Sequence, residues 1–155
     1  MIKDKKFMEV AIEEANEALR ENEIPVGAVL VDNNTHKIIA KSRNKKEQNF
    51  DVTSHAEINV IKEASKKLKT WRLTNTTLYV TLEPCTMCMS AILQSRISRI
   101  VYCLDEPLMG SVHSKLDLTT IFQTKITISK IDDEWGYEEI LKDFFGKKRE
   151  YFKNS

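Results

Sequence analysis

At 155 residues the chain is sized for one domain, expected to span 1–155, with enough length to bury a core. Hydrophobic residues make up 41% and charged residues 30%, as in an ordinary soluble domain, and no apolar run nears the roughly 18 residues of a membrane span. The net charge of +1 excludes an overall nucleic-acid footprint, MIKDKKFMEV lacks the apolar stretch of a secretory signal, and the three cysteines suit reduced thiols in the cytoplasm better than a disulfide framework.

Met8, Ile12, Ala15 and Leu19 recur at helical spacing with Phe7, Ala11 and Ala18 beside them, which predicts an amphipathic helix from Asp4 to Asn22. Pro25 and Gly27 end it. Ala28 to Asp32 and Lys37 to Ala40 read as two strands of a hairpin, with Asn33 and Asn34 in the turn. A polar loop, Lys41 to Ser54, leads to a helix from His55 to Lys69, for which Thr53 or Ser54 is a plausible N-cap. Thr77 to Thr81 is a buried-type strand. Pro84 suits the first turn of a helix running to about Gln94. Arg99 to Leu104 and Lys125 to Ile131 are further strands, and Glu138 to Phe152 closes the chain as a helix with Gly146 as a soft spot. Strands separated by helices predict an α/β sheet covered on both faces. The four scattered glycines make no phosphate-cradling loop.

Cys85 and Cys88 stand at i and i+3 after a proline. Such a pair can be half of a zinc ribbon, a redox couple or part of a catalytic metal site. At a helix N-terminus both sulfurs would share one face, and the dipole favours thiolate, the metal-binding form. Beyond the pair the chain has Cys103, His36, His55 and His113, with no second Cys-x-x-Cys, so a four-cysteine ribbon is excluded. Three protein ligands plus water is the arrangement of a catalytic zinc site. His55 is the natural third ligand, since it too opens a helix after a loop. Glu57 supplies a candidate acid/base. Residues at i and i+2 do not face the same way on a regular helix. His55 and Glu57 can therefore share a site only if the first turn is irregular or the site straddles it.

His55-Ala56-Glu57 followed by Pro84-Cys85-Thr86-Met87-Cys88 is the signature of the zinc nucleobase deaminases. Together with EIPVGAVLV, RLTNTTLYVTLEPCTMC, SRISRIVY and the ending ILKDFFGKKRE, the sequence resembles the bacterial tRNA-specific adenosine deaminases of the cytidine deaminase-like superfamily, over nearly its whole length. The resemblance implies a three-layer α/β/α sandwich around a five-stranded mixed sheet. It also implies one zinc per subunit on His55, Cys85 and Cys88, Glu57 as proton shuttle, and Asn44 and Ala56 against the substrate base. The implied partners are a second copy of the chain and the anticodon stem-loop of a tRNA, with an arginine tRNA's wobble adenosine as substrate and no DNA. Cys103, where relatives have a small residue, and Glu106, where they have Asp, depart from the pattern in the Leu104 to Ser114 region. His113 there reads first as a surface-loop residue. Lys and Arg in KSRNKK, KKLKTWR and GKKREYFK are either solvated faces or phosphate contacts. In the second case the closing helix, with Lys147, Lys148 and Arg149, leads the candidates, and affinity would fall steeply with salt. Two rival readings share the metal set: a deaminase of a free base or nucleoside such as guanine or cytosine, and a zinc-bearing subunit that only binds RNA or another chain.

Overall fold

The computed structural model describes residues 2–120, 122 and 125–153. The outer ends of the expected 1–155 span, residues 1, 154 and 155, lie outside them. Helix α1 (Ile2–Arg20) buries Phe7, Met8, Ala11, Ile12, Ala15 and Ala18 of the stripe its periodicity predicts, while Leu19 at its end stays exposed. Strands β1 (Gly27–Asp32) and β2 (Ile38–Arg43) form the predicted antiparallel hairpin. Its turn is organised by Asp32, whose carboxylate accepts the N–H groups of Asn34 at 2.7 Å and Thr35 at 3.0 Å. Strand β2 runs three residues further than predicted, because Ala28 and Gly27 stay paired to Ser42 and Arg43.

Helix α2 (Ala56–Leu68), strand β3 (Thr76–Leu82), helix α3 (Thr86–Gln94) and strand β4 (Arg99–Leu104) follow as read from the sequence. Strand β5 is Thr127–Lys130, shorter than the predicted Lys125 to Ile131. Helix α4 (Tyr137–Lys153) passes through Gly146 without a break. Asp133 opens it by accepting the N–H groups of Tyr137 at 3.0 Å and Glu138 at 2.8 Å.

The sheet order is β2-β1-β3-β4-β5, with β1 antiparallel to both of its neighbours, β2 and β3, and β3, β4 and β5 parallel. Alternate residues build two cores. Leu30, Leu78, Val80 and Ile100 pack with Val60 of α2 and Met89 and Ile92 of α3. Val29, Val31, Tyr79 and Val101 pack with α1 and Tyr137. The result is the predicted three-layer sandwich around a mixed five-stranded sheet. Gly27 lets α1 sit directly on β1, since a Cβ there would lie 2.0 Å from the Ala11 carbonyl oxygen.

Asp4 fastens α1 to the sheet. It accepts two bonds from Arg99, at 2.9 and 2.8 Å, and one from the Tyr79 hydroxyl at 2.7 Å. The Arg99 bonds, with help from Tyr79, outweigh burial and hold its carboxyl below the usual 3.8. Asp4→Asn leaves Arg99 without its charge partner and is expected to cost about 3 kcal/mol at neutral pH. Because the folded pKa lies below the unfolded one, the carboxylate's contribution is complete above pH 3.8 and is lost as pH falls through the folded value. The melting-temperature gap between wild type and Asp4→Asn should therefore be constant near neutrality and close under stronger acid.

Candidate active site

The first turns of α2 and α3 meet beside the end of β3. His55 is the N-cap of α2, with φ −72° and ψ 156°, and Cys85 is the N-cap of α3, with φ −73° and ψ 174°; neither side chain caps its helix. Two local expectations are corrected here. Neither Thr53 nor Ser54 is the cap, the Ser54 hydroxyl instead bonding the Asn59 side chain at 3.1 Å. Pro84 precedes the N-cap and does not lie in the first turn of α3. Both shifts share one feature: each N-cap position, extended as N-caps are, is taken by a side chain that makes no cap bond and meets the other's donor atom instead. That also resolves the i, i+2 difficulty, since His55 stands off the helix while Glu57 occupies its first turn.

The His55 Nδ1 lies 3.7 Å from Cys85 Sγ and 3.5 Å from Cys88 Sγ. A tetrahedral zinc with sulfur at about 2.3 Å and nitrogen at about 2.05 Å needs an S···N edge of about 3.6 Å. The three donor atoms all lie within 4.8 Å of one another, so the trio fits a metal ion. The electrostatics agree. The Cys88 thiol and the His55 ring, against the cost of burial, bring Cys85 down to about 4, a thiolate at neutral pH. The Cys85 sulfur, burial and Glu57 push Cys88 the other way. A divalent cation would relieve that crowding of negative groups.

Glu57 is 4% exposed. Burial, and next the charge on Cys85, push its carboxyl above the ordinary range. It lines a cavity of about 370 Å³ together with Asn44, Ala56, His55 and Cys85. Asn44 follows β2, its Oδ1 accepting the Lys46 N–H at 3.1 Å while its Nδ2 makes only a long 3.5 Å contact with the Ile24 carbonyl. Its amino group thus remains available to a ligand. Ala56 is fully buried at the start of α2, where the first N–H groups of a helix point outward. All six residues singled out from the sequence gather around this one site, with Cys88 buried beneath it. His113 does not line the cavity. Its ring pairs with the Tyr102 hydroxyl at 2.9 Å and lies 3.4 Å from Asp105.

The sequence reading missed the walls. Val52 stands on one side, with Leu108 and Met109 on the other and Phe145 of α4 between; Val52, Leu108 and Met109 are 67%, 77% and 60% exposed. It also missed two buried carboxylates that hold those walls, Glu23 and Glu83, the second of which reaches the cavity lining. A glutamate directly before Pro-Cys-x-x-Cys was the only available hint of the second. Burial tends to raise Glu83, but the N–H groups of His113, Ser114 and Glu106 and the Ser114 hydroxyl overcome it and bring the carboxyl down to about 2.

The model of the MafB19-like deaminase family matches residues 2–149. A curated tRNA-specific adenosine deaminase from Haemophilus influenzae is 40% identical over 149 residues, covering 95% of this chain and 86% of that protein. The chain belongs to the tRNA-specific adenosine deaminase family. The deaminase also superposes on a solved structure from a study of A-to-I editing by tRNA:A34 deaminases at the wobble position of transfer RNA. That pair shares 42% identity, with a TM-score of 0.76 over 81% of this chain and 97% of the other. A guanine deaminase from Bacillus subtilis is more distant, at 34% identity and a TM-score of 0.61 over 65% of the deaminase and 64% of that chain.

Proposed function

We propose that this deaminase converts the wobble adenosine of a tRNA, an arginine tRNA first among candidates, to inosine by zinc-dependent hydrolysis. One observation carries the reading: a buried carboxylate with a raised pKa shares a cavity with a metal-type donor trio, in a chain whose curated relatives are named for tRNA adenosine. In this reading His55, Cys85 and Cys88 hold the zinc, Glu57 is catalytic, and Asn44 and Ala56 hold the base. A zinc ion bound there supplies a water of pKa near roughly 7 as nucleophile.

The target base must leave the RNA stack, because C6 cannot be attacked in place. The apolar walls, Val52, Leu108 and Phe145, grip its faces and keep out bulk water. The Asn44 amino group and the Ala56 N–H meet its polar edges. Glu57 accepts a proton from the attacking water and delivers it to N1 as the water oxygen bonds to C6. The second water proton passes by the same carboxylate to N6. The C6–N6 bond breaks, ammonia leaves and the C6 carbonyl of inosine remains. A carboxyl whose pKa has been raised toward the working pH can both take and give the proton.

RNA affinity in this reading comes from cations beside the mouth. Lys46 lines the cavity, and Lys142, Lys148 and Arg149 line a groove of about 950 Å³ that shares Leu108 and Phe145 with it. The basic ending of the chain thus adjoins the site through Lys148 and Arg149, whose phosphate pairing would be salt-sensitive. A homodimer belongs to the same reading. A groove between α2 and α3, in which Ile61, Trp71, Met87 and Phe122 stand beside serines, Gln94 and Arg96, offers it surface. A tRNA substrate makes the cytoplasm its compartment, and no helix among the described residues is long and apolar enough to cross a membrane.

The test is deamination of an arginine tRNA transcript with adenosine at the wobble position, beside free guanine, cytosine and cytidine. Inosine at that one position is the expected result. Ammonia released only from a free base would keep the metal site and move the substrate to the guanine-deaminase side of the family.

A further inference from the structure

The two sides of the cavity are loops, yet each is fixed from behind by one buried carboxylate. Glu83, whose side chain is 0% exposed, lies between β3 and Cys85. Its Oε2 accepts the N–H groups of Val112 at 3.1 Å, His113 at 3.0 Å and Ser114 at 3.0 Å. Its Oε1 accepts the Glu106 N–H at 3.1 Å and the Ser114 hydroxyl. These bonds fill a carboxylate's roughly four acceptor directions. Although Asp105 and His113 bring further donors within reach, Glu83 has nothing left to offer a cation. The loop is packed hard against it, since a Cβ on Gly110 would lie 2.5 Å from Glu83 Cδ. The same loop is tied to the cysteine turn. Ser111 N–H donates to the Pro84 carbonyl at 2.9 Å, the Thr86 and Ser111 hydroxyls lie 2.7 Å apart, and Gly110 bridges to Cys85. What the loop presents to the cavity is Glu106, Leu108 and Met109.

The opposite side repeats the device. Glu23 is 1% exposed just before β1. It accepts the Glu47 N–H at 2.9 Å, the Gln48 N–H at 3.0 Å and the Gln48 side-chain amide at 3.2 Å. That loop presents Asn44, Lys46 and Val52.

We infer that Glu23 and Glu83 are positioning residues, each suspending one wall of the substrate cavity, so that together they set the width and polarity of the mouth into which a base must fit. Neither touches the reacting atoms. Each acts through the amides it gathers, and Glu83 in addition holds the wall in register with the turn that carries Cys85. A loop of this kind would otherwise sample many conformations. A buried charged acceptor fixes it, because every amide that lets go leaves part of the carboxylate unpaired in a dry site.

The substrate arm of the test rests on the tRNA reading above; the exchange arm does not. Glu83→Gln keeps size but turns an amino group toward N–H donors, and Glu23→Gln does the same on the other wall. On zinc-loaded enzyme, hydrogen exchange at Val112, His113 and Ser114 is expected to quicken by roughly tenfold or more in Glu83→Gln alone, and at Glu47 and Gln48 in Glu23→Gln alone. With the tRNA transcript each variant should raise KM by roughly tenfold while zinc content stays at the wild-type level. A merely destabilised enzyme would instead lose active fraction, lowering apparent kcat and leaving KM alone. Ser114→Ala, which removes one hydroxyl donor on an accessible loop, covers the case in which Glu83→Gln fails to fold, and should raise KM by about threefold. Unchanged exchange at the named amides, or an unchanged KM in the folded variants, would overturn the inference.

Discussion

Glu57→Ala should bind zinc as the wild type does and lose about 1,000-fold in kcat, with little change in the affinity for tRNA. The carboxylate is not one of the three donors that gather around His55 Nδ1, so its removal leaves the ligand set whole. It lines the cavity, buried, with a carboxyl that burial pushes above the ordinary range, as the proposed acid/base requires. Elemental analysis beside single-turnover deamination separates the two properties. A variant that turned over normally would remove Glu57 from the mechanism, and one that lost its zinc would make it part of the metal site. The rival reading as a non-catalytic zinc subunit also meets its test here, since a purely structural site has no use for this carboxylate.

Cys88→Ala should fail on both counts. Cys88 is fully buried on the first turn of α3, its sulfur 3.5 Å from the imidazole, and among the described residues no other His or Cys joins the trio. Loss of an outer partner of a metal ligand costs roughly 10- to 100-fold in metal affinity, and loss of the ligand itself should exceed that. Zinc content after dialysis should fall well below one per chain, deamination should vanish with it, and the melting temperature should drop because bound metal no longer favours the folded state. Full zinc retention in Cys88→Ala would mean that the metal sits elsewhere.

The contrast between these variants shows what was legible in the sequence. Helix α1 announces itself by the 3.6-residue spacing of Met8, Ile12 and Ala15, and the strands by short apolar runs such as Thr77 to Thr81, whereas α2 buries the small face of Ala56, Val60 and Ala64, which its larger apolar residues do not mark. That His55, Cys85 and Cys88 would come together beside Glu57 was legible because few residue types suit metal and proton-transfer chemistry and their spacing around Pro84 is restrictive. The caps were not. His55 and Cys85 stand where Ser, Thr or Asp would satisfy a helix end better, so propensity pointed to Thr53 or Ser54 while the site took the N-cap position for its own use. Glu23 and Glu83 were invisible for a different reason. Their burial depends on amides more than twenty residues away, and a carboxylate caged by distant N–H groups leaves no periodic trace in the chain around it. The exposed Val52, Leu108 and Met109 likewise look like ordinary loop residues until the two loops are seen to face one another across the cavity.

The most direct test of the zinc mechanism is a metal titration read out on RNA. Chelated, dialysed enzyme is reloaded with increasing zinc, and inosine at the wobble position of the arginine tRNA transcript is measured at each step. Activity should be absent without metal, rise in proportion to zinc bound, and level off at about one ion per chain, the capacity of a single three-ligand site. Inosine formed at full rate by metal-free enzyme, or none formed with the site filled, would contradict it.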